Sequence, residues 1–142
     1  MTATLHVTIQ EHIARRNELT LLLSNLADQK MLTLSERQDV TSAQYAEKSE
    51  LKAYFKELYE NDPSLKETYS DYTEIPEFED ELDKLTVKYN QELEELTNWE
   101  TNLDAQITTA SAELEEVKAY LESWKSQQSN NISDEFSFGL NN

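Results

Sequence analysis

Residues 78–124 read FEDELDKLTVKYNQELEELTNWETNLDAQITTASAELEEVKAYLESW. Apolar side chains recur along this stretch in an apolar ladder of three- and four-residue steps: Phe78, Leu82, Leu85, Tyr89, Leu93, Leu96, Trp99, Leu103, Ile107, Ala110, Leu114, Val117, Leu121 and Trp124. The mean step is about 3.5 residues, which is the a/d repeat of a left-handed coiled coil. At about 1.5 Å per residue, such a helix is roughly 70 Å long, too long for the wall of a compact domain of this size. The ladder therefore predicts a long helix that packs along one face.

The rest of the composition favours helix as well. The 142 residues include one glycine, two prolines and no cysteine. Both prolines, Pro63 and Pro76, lie around one short segment, so two long helices joined by one connection are expected. We predict an all-α fold, a long antiparallel helical hairpin (coiled coil) over residues 1–128. The first helix spans about residues 5–60, the acidic and aromatic connection 61–76, and the second helix about 77–128.

The connection itself has signals for a short helical turn. Pro63 suits a first-turn position, and Ser64 with Glu67 matches a capping box. Apolar and aromatic residues are dense around it: Tyr54, Phe55, Tyr59, Leu65, Tyr69, Tyr72, Ile75 and Phe78. We expect these side chains to pack the turn, with a recognition surface of exposed tyrosines as the alternative.

The first helix has a weaker apolar stripe than the second. Between residues 27 and 50 the predicted contact positions include Gln38, Thr41 and Lys48. Leu26 and Leu34 are separated by two steps of four, a stutter that unwinds a supercoil locally, and two capping boxes overlap nearby. A break in the first helix near residues 31–35 is therefore a possible alternative to a continuous helix.

The polar middle of the first helix suggests that a partner covers this part of the chain. Antiparallel packing would place it opposite strong apolar residues of the second helix, with Leu34 near Leu103. Since a two-helix contact shields few residues, we expect a further copy or another helical protein to cover this region. The predicted partner-binding residues here are Leu93, Leu96, Trp99 and Leu103.

Residues 129–142 are predicted to form a polar tail with an apolar end. Phe136, Phe138 and Leu140 alternate with other residues, which is the period of a strand. The tail either frays or folds back, or it docks on a partner as an added strand or through its two phenylalanines. These three residues complete the set of predicted partner-binding positions.

Charge limits the classes of partner. The net charge is −17, and it is uneven: residues 1–70 carry 11 acidic and 8 basic groups (−3), while residues 71–142 carry 18 and 4 (−14). Nucleic acids and anionic membrane surfaces are disfavoured, because both require a basic surface. The densest acidic run, residues 77–83, suits the positive end of a helix dipole. Arg15 and Arg16 are expected to pair with acids of the facing helix such as Glu122.

No combination of residues points to catalysis, a metal or a cofactor. His6 and His12 lie about 120° apart around a helix, so they do not form a two-histidine metal pair. The chain has no Glu-x-x-His, glycine-rich phosphate loop or nucleophile elbow. The sequence therefore favours a non-enzymatic coiled-coil protein, an adaptor or assembly subunit that presents a long helical face and an apolar tail. Homo- or hetero-oligomers are expected.

The alternative is an acidic chaperone or mimic that holds a basic or aggregation-prone client. In size, charge and helix content the chain is similar to the small acidic helical chaperones and stalk proteins of type III and flagellar export, which suggests a secretion-related client. The N-terminus lacks a basic region followed by an apolar run, and no stretch approaches a membrane span. We expect a cytoplasmic location, or export without a cleaved signal peptide.

Overall fold

The computed structural model describes residues 2–140, with side chains from Thr4 to Asn130. It contains three α-helices, α1 (Thr2–Asn61), α2 (Pro63–Thr68) and α3 (Pro76–Leu140), and one 3-10 helix (Tyr72–Glu74). The two long helices, α1 and α3, pack against each other. Within residues 2–140 there is no strand. The predicted all-α class is confirmed.

Helix α1 is continuous, so the predicted break near residues 31–35 is wrong. In a capping box the Thr33 hydroxyl would accept the N–H of Glu36. It instead donates a hydrogen bond of 2.7 Å to the carbonyl oxygen of Lys30, one turn earlier. This bond satisfies the hydroxyl within the helix, and Thr33 is buried with 1% of its surface exposed.

The contact face of α1 also differs from the prediction. Its first three buried residues, Leu19, Leu26 and Thr33, follow one another at intervals of seven, and Phe55 is the fourth buried residue. Leu34, predicted to lie near Leu103, is 56% exposed. Helix α1 therefore places a threonine in the interior and the neighbouring leucine outside.

Helix α3 agrees with its pattern. Every residue of the apolar ladder is buried or half-buried. The helix continues to Leu140, however, past the end predicted near residue 128. No glycine or proline occurs between residues 125 and 138, so the backbone hydrogen bonds continue where the heptad pattern stops. The backbone through Phe136 and Phe138 is thus helical and not strand-like, while their side chains lie outside the described ones.

The connection begins with a capped helix. Pro63 is the first residue of α2, as predicted, but the N-cap is Asp62 and not Ser64. The Asp62 carboxylate accepts a 3.0 Å hydrogen bond from the Ser64 backbone N–H. Proline suits the position that follows, because the first N–H groups of a helix have no partner within it.

Contacts between Cα atoms divide the chain into two units. Unit 1 comprises Met1–Gln29 with Leu103–Asn142, and unit 2 comprises Lys30–Asn102. The core of unit 1 consists of Leu19, Ala110, Leu114 and Val117, with Leu23 and Leu121 packed on it. The core of unit 2 consists of Phe55, Ile75 and Phe78, surrounded by Leu51, Tyr59, Leu65, Tyr69, Tyr72 and Leu82.

The core of unit 2 confirms that the aromatic residues pack the turn. The Phe78 ring lies edge to face with Phe55 and with Tyr72, at 5.4 Å between centroids in both pairs. The Tyr59 hydroxyl donates a 2.9 Å hydrogen bond to the carbonyl oxygen of Tyr69. Tyr54 is the exception, since it is 61% exposed.

Candidate interaction surfaces

The predicted partner-binding residues of α3 differ in exposure. Leu96 and Leu103 are buried, with 7% and 2% of their surface exposed, while Leu93 and Trp99 are half-buried. Leu103 therefore offers almost no surface to a partner, while Leu96 lines a groove. The side chains of Phe136, Phe138 and Leu140 lie outside the described ones. Partner binding by this set stays a prediction.

In unit 2 a polar residue of α1, Arg37, joins this helix to α3. Arg37 of α1 donates from Nε to Glu100 at 3.2 Å and from a terminal nitrogen to the Thr97 hydroxyl at 2.9 Å. A groove of about 270 Å³ beside it is lined by Glu36, Val40, Glu92, Glu95, Leu96 and Trp99. The aliphatic part of an arginine packs on apolar surface while its charged head reaches a carboxylate. Arg37 thus occupies a contact position of α1 where periodicity predicts an apolar residue, and its charged head pairs with Glu100 of α3.

A second polar contact in unit 2 involves Tyr89. This ring is 3% exposed, and a hydrogen bond with the Glu47 carboxylate, aided by burial, raises the pKa of Tyr89 to about 12. Glu47 also lies 3.6 Å from the ammonium group of Lys88. The Glu47 carboxylate of α1 therefore favours the neutral form of the Tyr89 side chain of α3.

One flank of α1 in unit 2 carries a second row of residues at heptad spacing, about 100° around the helix from the contact positions Thr33 and Arg37. We call it the outer stripe; its members are exposed, are spaced by alternating steps of three and four residues, and are Met31, Leu34, Gln38, Thr41 and Tyr45. Met31 is 71% exposed, Leu34 56% and Tyr45 79%. The heptad spacing of this row was visible in the sequence, but it led to Gln38 and Thr41 being placed on the contact face.

Exposed apolar side chains are unevenly shared between the long helices. Of the twelve exposed large hydrophobic residues described, ten lie on α1 and two, Val87 and Tyr120, lie on α3. Scattered exposed hydrophobic residues are normal, whereas a row of them at coiled-coil spacing is typical of a helix contact. The outer stripe is therefore the candidate interaction surface of unit 2.

The outer stripe is also weakly charged. Residues 31–46 contain two acidic groups and one basic group, a net charge of −1. By contrast, residues 77–100, which begin α3, contain nine acidic and two basic groups, a net charge of −7. In this acidic chain, the outer stripe is a surface that an apolar or acidic partner can approach with little repulsion.

The acidic run at the start of α3 is a third feature of unit 2. Its carboxylates, Glu77, Glu79, Asp80, Glu81 and Asp83, are all exposed. Glu81 lies 3.5 Å from the Lys84 ammonium group. Negative side chains at a helix N-terminus interact well with the helix dipole, so the run has a structural reason that requires no ligand.

In unit 1 a surface ion pair joins α1 to α3. Arg15 donates to both oxygens of Glu113, at 2.8 and 2.9 Å, and to Glu18 at 3.1 Å. The expected pairing of Arg15 with an acid of the facing helix is confirmed, with Glu113 as the partner in place of Glu122. The hydrogen bond from Arg15 lowers the pKa of Glu113 below its ordinary value, and the same bond raises the pKa of Arg15. Two carboxylates thus neutralise Arg15, which leaves little basic surface for a phosphate.

His12 and its neighbours form the wall of a groove of about 330 Å³ in unit 1. The imidazole Nδ1 lies 2.9 Å from the carbonyl oxygen of Thr8, which orients the ring when that nitrogen carries the proton. The ring meets Trp124 and Tyr120 edge to face, at 4.6 and 5.5 Å between centroids. The groove is lined by Glu11, His12, Arg15, Glu113, Glu116, Val117 and Tyr120. Trp124 therefore serves in packing, as the apolar ladder predicts.

Within the described part of the chain, no group of three His, Asp or Glu side chains is placed to hold a metal ion. No described helix is long and apolar enough to cross a membrane. Comparison with protein families, with curated proteins and with solved structures gave no match.

Proposed function

We propose that this chain is a non-enzymatic interaction protein, an adaptor or assembly subunit, whose α1 and α3 form an antiparallel coiled-coil hairpin. The contact pairs of unit 2 support the antiparallel direction. Arg37 meets Glu100, and Phe55, later in α1, meets Phe78, earlier in α3. The seven-residue interval between Leu26 and Thr33 supports the coiled-coil repeat.

The exposure of the outer stripe is the observation that carries the proposed function. A helix with a single neighbour needs one apolar face, and α1 already uses one against α3. The outer stripe offers a second face with the spacing that a partner helix requires. We propose that a helix of another protein or of a second copy packs along it.

Two charge substitutions test this role. The double variant Met31→Glu, Leu34→Glu places carboxylates on the outer stripe, where both wild-type side chains are more than half exposed. The chain should therefore remain folded, with an unchanged circular dichroism spectrum, while binding is lost. The matched control is Val87→Glu, which changes an exposed residue of α3 in the same unit.

The readout is the set of proteins retained from a native lysate on the chain tagged at its N-terminus, together with the molar mass of the purified chain by light scattering. We expect wild type and Val87→Glu to behave alike, and the double variant to lose every retained helical protein and any self-association. Equal retention or equal self-association by the double variant would remove the outer stripe from the proposed function.

The second candidate function is that of an acidic chaperone or mimic. The five exposed carboxylates of residues 77–83 favour it, because they could meet a basic client surface. Client binding of this kind weakens steeply as salt is raised, whereas apolar helix pairing does not. A titration of binding from about 0.05 M to about 1 M salt, over which the Debye length falls to about 3 Å, distinguishes the two functions.

A further inference from the structure

We infer that the helix that packs along the outer stripe carries carboxylates at one end, where they pair with a row of lysines on α1. This inference rests on the proposed function and deepens it by giving the chemistry of the partner. The lysine row consists of Lys48, Lys52 and Lys56, and it lies in unit 2 together with the outer stripe.

The lysine row continues the outer stripe along the same flank of α1. Lys48 and Lys52 follow Tyr45 at the next steps of three and four residues, and Lys56 follows one turn later. At about 100° per residue, Lys52 and Lys56 each lie about 20° around the helix from Tyr45, on either side of it. Lys52 and Lys56 are exposed, and Lys48 is half-buried. A helix packed on the outer stripe therefore covers the lysine row when it extends about three turns beyond Tyr45.

The charged residues of α1 in this region lie on two opposite sides of the helix. The carboxylates from residue 36 to residue 57 fall within about 80° of arc, and the lysine row is centred about 180° away from them. These carboxylates are Glu36, Asp39, Glu47, Glu50 and Glu57. Over this range the flank of α1 that carries the outer stripe thus has lysines and no carboxylate, in a chain whose net charge is −17.

The lysine row has no ionic partner within the described part of the chain. Lys88 of α3 lies 3.6 Å from the Glu47 carboxylate, whereas none of the three lysines of the row pairs with a described carboxylate. Like charges four residues apart on a helix repel each other, so the row is unfavourable for α1 alone. Carboxylates supplied by a partner would offset this repulsion.

The outer stripe and the lysine row together select one kind of partner helix. A helix that is apolar throughout would cover the lysine row without pairing it, and an unpaired charge loses hydration when it is covered. A basic helix would be repelled by the row and attracted to the exposed carboxylates of residues 77–83. A helix with apolar residues at heptad spacing and an acidic end is complementary to both parts of the flank.

Two synthetic peptides test the charge of the partner. Each has about four heptads, the length of residues 31–56, with leucine at the contact positions of two heptads. The contact positions of the other two heptads are glutamate in one peptide and the neutral glutamine in the second. Both peptides are made with the leucine heptads first and with them last, which covers both directions of packing.

Binding is measured by fluorescence anisotropy at about 0.15 M salt, where a Debye length of about 8 Å limits repulsion by distant carboxylates. The glutamate peptide should bind wild type about tenfold more tightly than the glutamine peptide. Equal affinities, or no binding of either peptide at about 100 μM, would overturn the inference.

Charge reversal in the lysine row locates the binding. Lys52→Glu, Lys56→Glu should weaken the glutamate peptide about tenfold and leave the affinity of the glutamine peptide within about twofold. Lys52→Gln, Lys56→Gln should give an intermediate loss. Because both lysines are exposed, the circular dichroism spectrum should not change.

The matched control is Lys66→Glu, Lys84→Glu. It makes the same change of net charge at two exposed lysines of unit 2 that lie outside the row, and it should bind both peptides as wild type does. Equal weakening of the glutamate peptide by this control would overturn the inference, because the effect would then come from net charge alone.

Met31→Glu, Leu34→Glu separates this inference from the proposed function, and it should lose both peptides. If it does so while wild type binds the two peptides equally, the outer stripe binds a helix and the acidic partner is wrong. A wild-type dimer that is lost in this variant and kept in Lys52→Glu, Lys56→Glu would place a second copy on the stripe and overturn the inference. Binding through the same lysines to vesicles of phosphatidylcholine and phosphatidylserine in equal parts, without peptide binding, would overturn it as well.

Discussion

Because Leu34 is exposed, the structure predicts a smaller loss of stability for Leu34→Ala than the sequence pattern does. Leu34→Ala and Leu103→Ala remove the same atoms from two residues that the pattern places near each other. Leu34 is 56% exposed, so 44% of its surface is covered, whereas Leu103 is 2% exposed. Full burial of a leucine side chain is worth about 1.5–3 kcal/mol, so the covered part of Leu34 contributes at most about 0.7–1.3 kcal/mol. Truncating the buried Leu103 leaves a cavity and costs about 2–5 kcal/mol.

The assay is urea unfolding followed by circular dichroism at 222 nm, with wild type and both variants at one concentration. That concentration should lie where sedimentation shows single chains, because association through the outer stripe would add to the apparent stability of wild type. We expect Leu34→Ala to lower the free energy of unfolding by under about 1 kcal/mol, since alanine also favours helix slightly. A loss at Leu34 equal to that at Leu103 would refute the assignment of Thr33, and not Leu34, to the interior.

Three further predictions concern contacts between the helices. The difference in free energy of unfolding between wild type and Arg15→Gln should be present at pH 7. It should vanish on acidification below pH 4.5, the ordinary pKa of a glutamate, because the pKa of Glu113 is lowered in the folded state. A difference that persists at pH 2 would contradict the pairing. The pKa of Tyr89, raised from 10.0 to about 12, should fall in Glu47→Gln when followed by absorbance at 295 nm. The stabilisation from this interaction should be present below pH 10 and lost as the pH rises through about 12. An unchanged titration would show that Glu47 does not interact with the hydroxyl. Phe78→Ala, at a position 3% exposed, should cost about 3–5 kcal/mol by urea unfolding, and a loss under 1 kcal/mol would contradict the packing of the turn.

Helix α3 was predictable because one pattern accounts for it. The apolar ladder is its only row of large hydrophobic residues at heptad spacing, so the spacing indicates both the helix and the face it buries. The end of α3 was harder to predict, since polar residues after Trp124 end the heptad but do not end the backbone hydrogen bonding. Hydrophobic periodicity indicates which residues are packed, whereas glycine and proline indicate where a helix can end.

The contact face of α1 was harder to predict, because two faces of this helix carry residues at heptad spacing. The face that packs on α3 contains Thr33 and Arg37, while the outer stripe contains Leu34 and Tyr45. Counting hydrophobic residues favours the outer stripe and produces an apparent stutter and break. The deciding interactions are a hydroxyl bonded to the preceding turn and an arginine that reaches Glu100, 63 residues away in the chain. Neither has a signature in hydrophobic periodicity.

The exposed apolar residues of the outer stripe require an explanation of their own. Exposed leucine, methionine and tyrosine side chains add nothing to the packing of α1 on α3, and in water they favour aggregation. Polar residues at positions 31, 34 and 45 would keep the helix and remove that risk. A helix that keeps apolar residues at heptad spacing on a flank beside its contact face has the composition expected of a helix with two neighbours. On this reasoning the polar residues Thr33 and Arg37 of the contact face and the exposed residues Met31, Leu34 and Tyr45 of the outer stripe belong together. Near residues 31–45, α3 holds α1 through a mixed seam, and the apolar side chains of the outer stripe stay exposed.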